Sequence, residues 1–156
     1  MLENCKTAHE RWGGVSDIID RWLHSRQSLL VRFCALSEKK EFTEGDAGVD
    51  ENLRQLCQYL MDYISAGHFE VYEQLIREGQ DFGDKAALDR ARALYREIDS
   101  TTDVAVDFND KYLETDDLSS LPGDLSQLGE ALETRFESED QMIAVLHTAH
   151  KNQLPS

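Results

Sequence analysis

The five histidines are the side chains of this 156-residue chain that could hold a metal ion or carry a phosphoryl group. A di-iron site in a helical bundle uses Glu-x-x-His motifs, and none of the five has a glutamate three positions before it. His147 and His150 stand three positions apart near the C-terminus, where we expect an exposed pair. His24 or His68 could accept a phosphoryl group, but no lysine lies beside His68, and we expect it to hydrogen-bond a neighbouring helix.

The sequence gives even less support to catalysis by a nucleophilic side chain. Cys5, Cys34 and Cys57 occur singly with no CxxC spacing, so we expect three reduced thiols. The chain contains no GxSxG, P-loop or GxGxxG motif. We therefore predict a protein that is not an enzyme and that uses no metal and no cofactor. A metal-binding or phosphotransfer helical bundle remains an alternative.

Five carboxylates recur at spacings of four, four, three and four, which would place them on one face of a continuous helix. We call them the acidic stripe: Asp99, Asp103, Asp107, Asp110 and Glu114. Each like-charged pair at this spacing costs a helix roughly 0.2–0.5 kcal/mol, which a basic partner would relieve. Water and salt also relieve it, so we favour a solvated face and expect its neutralisation to leave partner affinity nearly unchanged. A partner-binding face is the alternative.

The net charge of −15, from 31 acidic and 16 basic residues, limits the classes of partner. It repels nucleic acid and anionic membranes, and it attracts a basic protein surface. No apolar run is long enough to span a membrane, and no basic-then-apolar leader opens the chain, so we expect a cytoplasmic protein. The length and the 40% hydrophobic content predict one globular domain over residues 1–156.

The segment from residue 53 to residue 73 contains the best candidate for a binding surface. Its apolar residues recur every three or four positions, as on a helix face turned toward a core: Leu53, Leu56, Leu60 and Ile64. Asp62, Ser65 and Phe69, here called the anchor face, fall on the opposite side. An exposed phenylalanine suits an anchor for a partner protein. If the helix instead restarted at Gly67, Phe69 would turn into the core.

Apolar periodicity and turn residues predict the helices that must position these side chains. We expect long helices over residues 16–36, 49–66, 84–112 and 125–146, a bend or close packing at Gly67, and a possible kink at Thr101–Thr102. A shorter helix over residues 3–11 should end at Gly13–Gly14, and loops should cover residues 37–50, 79–83 and 115–124. Together they predict an all-α, antiparallel up-and-down four-helix bundle with a short extra N-terminal helix.

Three longer sequence blocks resemble one family. LxDYxSAGHFxxYE at residues 60–73, DRWLHxRxxLLV at 20–31 and GEALExRFxxED at 129–140 are similar to blocks of the Rsd/AlgQ family of anti-sigma factors. The ERWGG opening at residues 10–14 is most similar to the AlgQ branch. The resemblance implies a helical protein that binds the primary sigma factor of RNA polymerase through its region 4, and also region 2.

The resemblance also implies a mechanism and a set of binding residues. The protein would keep the primary sigma factor away from core polymerase, so that alternative sigma factors compete in stationary phase; in the AlgQ branch this regulation reaches alginate production. Asp62, Ser65 and Phe69 would contact region 4. Trp22 belongs to the apolar stripe of its helix and should lie mainly in the core, whereas Glu133, Arg135, Glu137 and Asp140 could extend the binding surface or merely solvate the last helix. A generic acidic adaptor for another basic protein is the other alternative.

Overall fold

The computed structural model describes residues 2–39, 42 and 46–154, with side chains from residue 8 onward. Its helices are α1 (Leu2–Ser37), α2 (Ala47–Ala66), a π-helical turn (Gly67–Val71), α3 (Tyr72–Asp81), α4 (Lys85–Glu114), α5 (Leu121–Leu146) and a 3₁₀ helix (Thr148–Gln153). The described residues form no strand, and none of their helices has the length and apolarity that crossing a bilayer requires. The prediction of an all-α bundle is confirmed.

Four helical segments make up the bundle, because α2, the π-helical turn and α3 follow one another without a break. Lys111 near the end of α4 contacts Asp124 near the start of α5, and Arg90 near the start of α4 contacts Gln141 near the end of α5. These two contacts show that α4 and α5 are antiparallel. One apolar core runs between the segments, with Trp22 only 3% exposed. The assignment of Trp22 to the core is confirmed.

The predicted helix break at Gly13–Gly14 is wrong, since α1 continues through both residues. Each glycine in a helix interior lowers helix stability by about 1 kcal/mol relative to alanine, and here tertiary contacts override that local preference. The Trp12 ring stacks on His147 at 4.1 Å between centroids, and its N–H donates to the His147 carbonyl oxygen at 3.1 Å. The predicted N-terminal helix is therefore the first part of α1.

The turn between α3 and α4 is shorter than predicted. Gly79 lies inside α3, where a Cβ atom would come 2.6 Å from Leu146 and 2.9 Å from Leu88, so this glycine allows close packing of helices. Gly83, with φ of 63°, makes the turn itself. Asp84 accepts a hydrogen bond from the Ala87 N–H at 3.0 Å, which confirms it as the N-cap of α4.

The α5 helix begins at Leu121, earlier than the predicted start at residue 125. Pro122 occupies its first turn, where a missing N–H leaves no helical hydrogen bond unmade.

The neighbouring α4 runs as one helix through Thr101 and Thr102. Both hydroxyls donate to the Ile98 carbonyl oxygen, at 2.6 and 3.5 Å. They also have a tertiary role, described next.

A buried polar cluster lies inside the bundle around Glu139 of α5. The carboxylate, whose side chain is 0% exposed, accepts a hydrogen bond from the Tyr63 hydroxyl at 2.5 Å and another from the Tyr72 hydroxyl. Two guanidinium groups, those of Arg26 and Arg135, each lie 3.4 Å from it. Burial raises the pKa of Glu139, and the Arg135 charge and the tyrosine hydroxyls oppose that rise.

Arg135 completes the buried cluster. Its side chain is 2% exposed, so the expectation that residue 135 extends a surface or faces solvent is wrong. The guanidinium donates to the hydroxyls of Thr101 at 3.1 Å, Thr102 at 3.0 Å and Tyr72 at 3.2 Å. A buried arginine needs such partners because its charge loses the stabilisation that water provides.

The C-terminal histidines are buried, which contradicts the predicted exposed pair. His147 and His150 are 4% and 0% exposed. The His147 Nδ1 atom lies 2.7 Å from a Glu78 carboxylate oxygen, and His150 Nε2 lies 2.7 Å from Asp84. The end of α5 and the 3₁₀ helix pack against α3 and the start of α4, and each histidine gains a carboxylate partner there.

We predict that Glu139→Gln destabilises the bundle by about 3 to 5 kcal/mol, because it leaves the Arg135 charge buried without a counter-charge. The amide has nearly the same volume, so the effect isolates the charge. Asp140→Asn changes the neighbouring carboxylate, which is 60% exposed and pairs with Arg26 from the solvent side, so it should cost less than Glu139→Gln. Urea denaturation measures both variants, and equal losses would contradict the role assigned to the buried cluster.

We further predict that Asp84 makes stability depend on pH at the acid end. The hydrogen bonds from His150 and the Ala87 N–H hold the pKa of Asp84 below its ordinary value. Such a carboxylate stabilises the fold above its unfolded-state pKa, and this contribution is lost as pH falls through the folded-state value. Asp84→Asn keeps the capping oxygen and removes the charge. In urea denaturation wild type should be the more stable at pH 6, and this advantage should shrink as pH falls through the folded-state pKa of Asp84. A pH-independent difference would contradict this prediction.

Candidate partner-binding surface

The anchor face is exposed along its whole length. Asp62 and Ser65 lie on the outer side of α2, and Phe69, in the π-helical turn, is 75% exposed. The Tyr72 N–H donates to the Gly67 carbonyl oxygen, five residues back, as in a π-helix. The following Val71 and Tyr72 are buried, at 1% and 5% exposure. The alternative prediction, in which Phe69 turns into the core, is therefore wrong.

Gly67 allows the π-helical turn to pack closely against its neighbours. A Cβ atom there would lie 3.1 Å from the Trp22 ring and 3.1 Å from the Tyr72 hydroxyl, closer than most side-chain contacts. The predicted close packing at Gly67 is confirmed. Trp22 is held in turn by its N–H bond to the Tyr63 carbonyl oxygen at 3.2 Å. The backbone that displays Phe69 is therefore supported from the core side.

A small cleft lies beside Phe69, between the π-helical turn and α4. It has a volume of about 180 Å³, and its walls include Ser65, Tyr95 and Asp99. The His68 ring meets the Phe69 ring edge-on at 4.8 Å, and its Nδ1 atom lies 3.4 Å from the Tyr95 hydroxyl. The expected contact of His68 with a neighbouring helix is confirmed. An apolar ring beside a cleft and near carboxylates can hold a complementary protein surface.

Asp62 borders a different depression, between α2 and α1. Arg21, Ser25 and Glu70 line it together with Asp62. No ion pair involves Asp62 among the described residues, so its carboxylate is open to an incoming cation. Asp62 can therefore contribute a polar contact beside the Phe69 cleft, on the α1 side of α2.

The acidic stripe lies on the solvent side of α4, and all five carboxylates are exposed. Within the described ranges none of them forms an ion pair. Asp99 borders the same cleft as Ser65 and Phe69, whereas the other four follow α4 away from it. The two sequence-predicted surfaces therefore meet at Asp99, a contact that depends on the packing of α4 beside the π-helical turn.

Sequence analysis missed a third feature, which we call the arginine groove. Arg77 of α3 and Arg92 and Arg96 of α4 line a groove of about 630 Å³ between these helices. Tyr72 and Tyr95 contribute to both the groove and the cleft beside Phe69. The signal in the sequence is a concentration of arginines in the first half of α4. Only the fold brings Arg77 to the same place.

In the part of the chain that the structure describes, no group of side chains is arranged for metal binding or for reactive-thiol chemistry. No three His, Cys, Asp or Glu side chains there come together as metal ligands would. Burial raises the pKa of the Cys57 thiol to about 11, the direction opposite to that of a reactive thiolate. Cys34 is exposed and unbridged.

Comparison with known proteins identifies similar sequences over nearly the whole chain. Residues 1–147 match the family model described as "Regulator of RNA polymerase sigma(70) subunit, Rsd/AlgQ". A protein named Regulator of sigma D from Enterobacter sp. (strain 638) is 39% identical over 150 residues, which cover 93% of this chain and 89% of that protein. The protein of that name from Shigella dysenteriae serotype 1 (strain Sd197) is 35% identical over an alignment of 161 positions that covers both chains completely.

A third relative, Regulator of sigma D from Yersinia pseudotuberculosis serotype O:3 (strain YPIII), is 34% identical over 152 residues, covering 92% of this chain and 87% of its own. The family description and the names of these relatives denote regulators, in agreement with the prediction that the protein is not an enzyme. The chain belongs to the Rsd/AlgQ family of regulators of the RNA polymerase sigma(70) subunit.

Proposed function

We propose that this protein binds the primary sigma factor and holds it away from core RNA polymerase. Membership of the Rsd/AlgQ family supports a sigma-directed role, and the relatives are named for regulation of sigma D. The charge supports it as well. A sigma factor presents a basic surface to DNA, and a chain with 31 acidic and 16 basic residues attracts such a surface over several ångströms of solvent.

The observation that carries the proposal is the exposed Phe69 ring on a supported backbone. Burying a phenylalanine side chain at an interface contributes about 1.5–3 kcal/mol of binding free energy. The π-helical turn beneath it is packed against Trp22 and Tyr72, so little backbone conformational entropy should be lost on binding. Ser65 lies beside the ring in the same cleft, and Asp62 is exposed on the same helix as Ser65, two turns before Phe69, where it can meet a cation of the partner.

In the proposed complex the anchor face covers region 4 of the sigma factor, and neighbouring surface extends to region 2. The complex is stoichiometric: each bound sigma molecule is withheld from core polymerase and from promoter DNA. Alternative sigma factors then gain access to the core enzyme, which suits regulation in stationary phase. A partner of RNA polymerase acts in the cytoplasm. The similarity of the ERWGG opening to the AlgQ branch extends the proposal to alginate regulation.

We predict that Phe69→Ala weakens binding of isolated sigma region 4 by about 2 to 3 kcal/mol, or about 30- to 150-fold. Isothermal titration calorimetry measures the affinity, and urea denaturation checks that the fold is retained. Leu113→Ala is the matched control, because Leu113 is a similarly exposed apolar residue, at 67%, on α4 away from the anchor face. Unchanged affinity of Phe69→Ala, or no binding by wild type, would contradict the proposal.

A second prediction concerns the part of the acidic stripe that lies away from the cleft. Neutralising the three stripe residues farthest from Asp99 with Asp107→Asn, Asp110→Asn and Glu114→Gln together should change sigma affinity less than about threefold at physiological salt, because charges beyond a Debye length from the interface are screened. Asp99→Asn, at the edge of the cleft, should have the larger effect. A loss greater than tenfold in the triple variant would show that the whole stripe binds the partner.

A further inference from the structure

The arginine groove has an apolar floor and cationic walls. Tyr72, Ile76 and Tyr95 provide the apolar surface, and Arg92 and Arg96 stand on the α4 side. The α3 wall contributes the third arginine, Arg77, and one acidic residue, Glu73, so the charged residues of the groove comprise three arginines and one glutamate. Grooves of this kind can hold an amphipathic segment, with apolar side chains on the floor and carboxylates at the guanidinium groups.

The charge of the groove is opposite to that of the rest of the chain. Residues 85–96 contain four basic residues and one acidic residue, whereas residues 97–114 contain six acidic residues and one lysine. The sign therefore changes within α4, between Arg96 and Asp99. This is also where the cleft beside Phe69 lies. A partner seated there meets cations on one side and anions on the other.

The cationic charge of the groove is available to a partner. Arg77 pairs with Glu73 at 2.9 Å and Arg92 with Asp89 at 3.2 Å, but all four side chains are more than half exposed. Exposed pairs within one helix contribute only a few tenths of a kcal/mol and exchange easily. Arg96 is exposed and has no ion pair to any residue within the described ranges.

The groove and the cleft beside Phe69 form a continuous surface. They share His68, Tyr72 and Tyr95, so a chain that covers Phe69 reaches the arginines without leaving the protein. All three arginines are exposed along the groove, so they do not enclose a small anion. This arrangement favours an extended, partly apolar occupant over a free phosphate-like ion.

We propose that the arginine groove binds an acidic segment of the same sigma factor molecule whose region 4 covers Phe69, an inference that rests on the proposed function. The acidic segment fixes the orientation of the bound sigma factor. The carboxylates of this segment face Arg92 and Arg96, and basic residues of the sigma factor beyond the Phe69 contact face Asp99. Electrostatic pairing of this kind contributes chiefly to orientation and to the rate of encounter.

Charge reversal at Arg96, compared with reversal at Arg90, tests the inference. Both arginines are exposed on α4 and change the net charge equally, but Arg90 donates to Gln141 of α5, away from the groove. With full-length primary sigma factor as the probe, Arg96→Glu should weaken binding about tenfold at 0.15 M salt, and Arg90→Glu less than about twofold. The difference should shrink at 0.5 M salt because screening removes it. Arg92→Glu provides an independent second variant.

The possible outcomes separate the inference from the proposed function. If wild type binds the sigma factor and both groove variants bind equally well, the groove proposal fails while the proposed function stands. If wild type does not bind the sigma factor at all, both fail. Calorimetry with pyrophosphate is the remaining arm: Arg96-dependent binding of pyrophosphate with unchanged sigma affinity would assign the groove to a small anion and overturn the proposal.

Discussion

The carboxylate of Glu139 is the point through which all four helical segments of this bundle are joined. It accepts from Tyr63 and Tyr72 in the second segment, and it lies within 3.4 Å of Arg26 in the first segment and of Arg135 in the fourth. Arg135 extends the connection to the threonine hydroxyls of the third segment. A buried charge is costly unless these partners are all in place, so the cluster permits few relative positions of the helices.

This buried cluster also bears on the geometry of the exposed surface. Tyr63 and Tyr72 are nine residues apart, and a regular α-helix would place them on opposite faces, since nine steps of about 100° leave them about 180° apart. Both hydroxyls nevertheless reach one carboxylate. The π-helical turn between them changes the helical register, and Gly67 lets it approach Trp22 closely enough to do so. The same turn directs Phe69 outward. The buried cluster and the display of Phe69 therefore depend on one local departure from α-helical geometry.

Sequence patterns predict the structural features that are set by residues close together along the chain. They do not predict features that depend on a contact with a residue distant in the sequence. The amphipathic spacing and the N-cap at Asp84 are local, and both were identified. Gly79 has the residue type of a turn, yet it serves close packing against Leu146 of another helix. The burial of His147 depends on a carboxylate 69 positions away, and no local pattern contains that information. The burial of Arg135 escapes a sequence pattern for the same reason, because its hydrogen-bond acceptors lie on other helices.

The exposed side chains proposed for binding are separate from those that hold the bundle together, whereas the buried Tyr72 belongs both to the floor of the arginine groove and to the buried cluster. Asp62, Ser65 and Arg96 are exposed, and none of them forms a side-chain hydrogen bond or ion pair across the described ranges, so the stability of the bundle does not require their residue types. The interior fixes the backbone beneath them through Glu139, Gly67 and Trp22. A protein that must capture a partner in one orientation gains from this division. The surface charges and the Phe69 ring can match the partner, because the bundle does not use them, while the rigid interior limits the conformational entropy lost on binding.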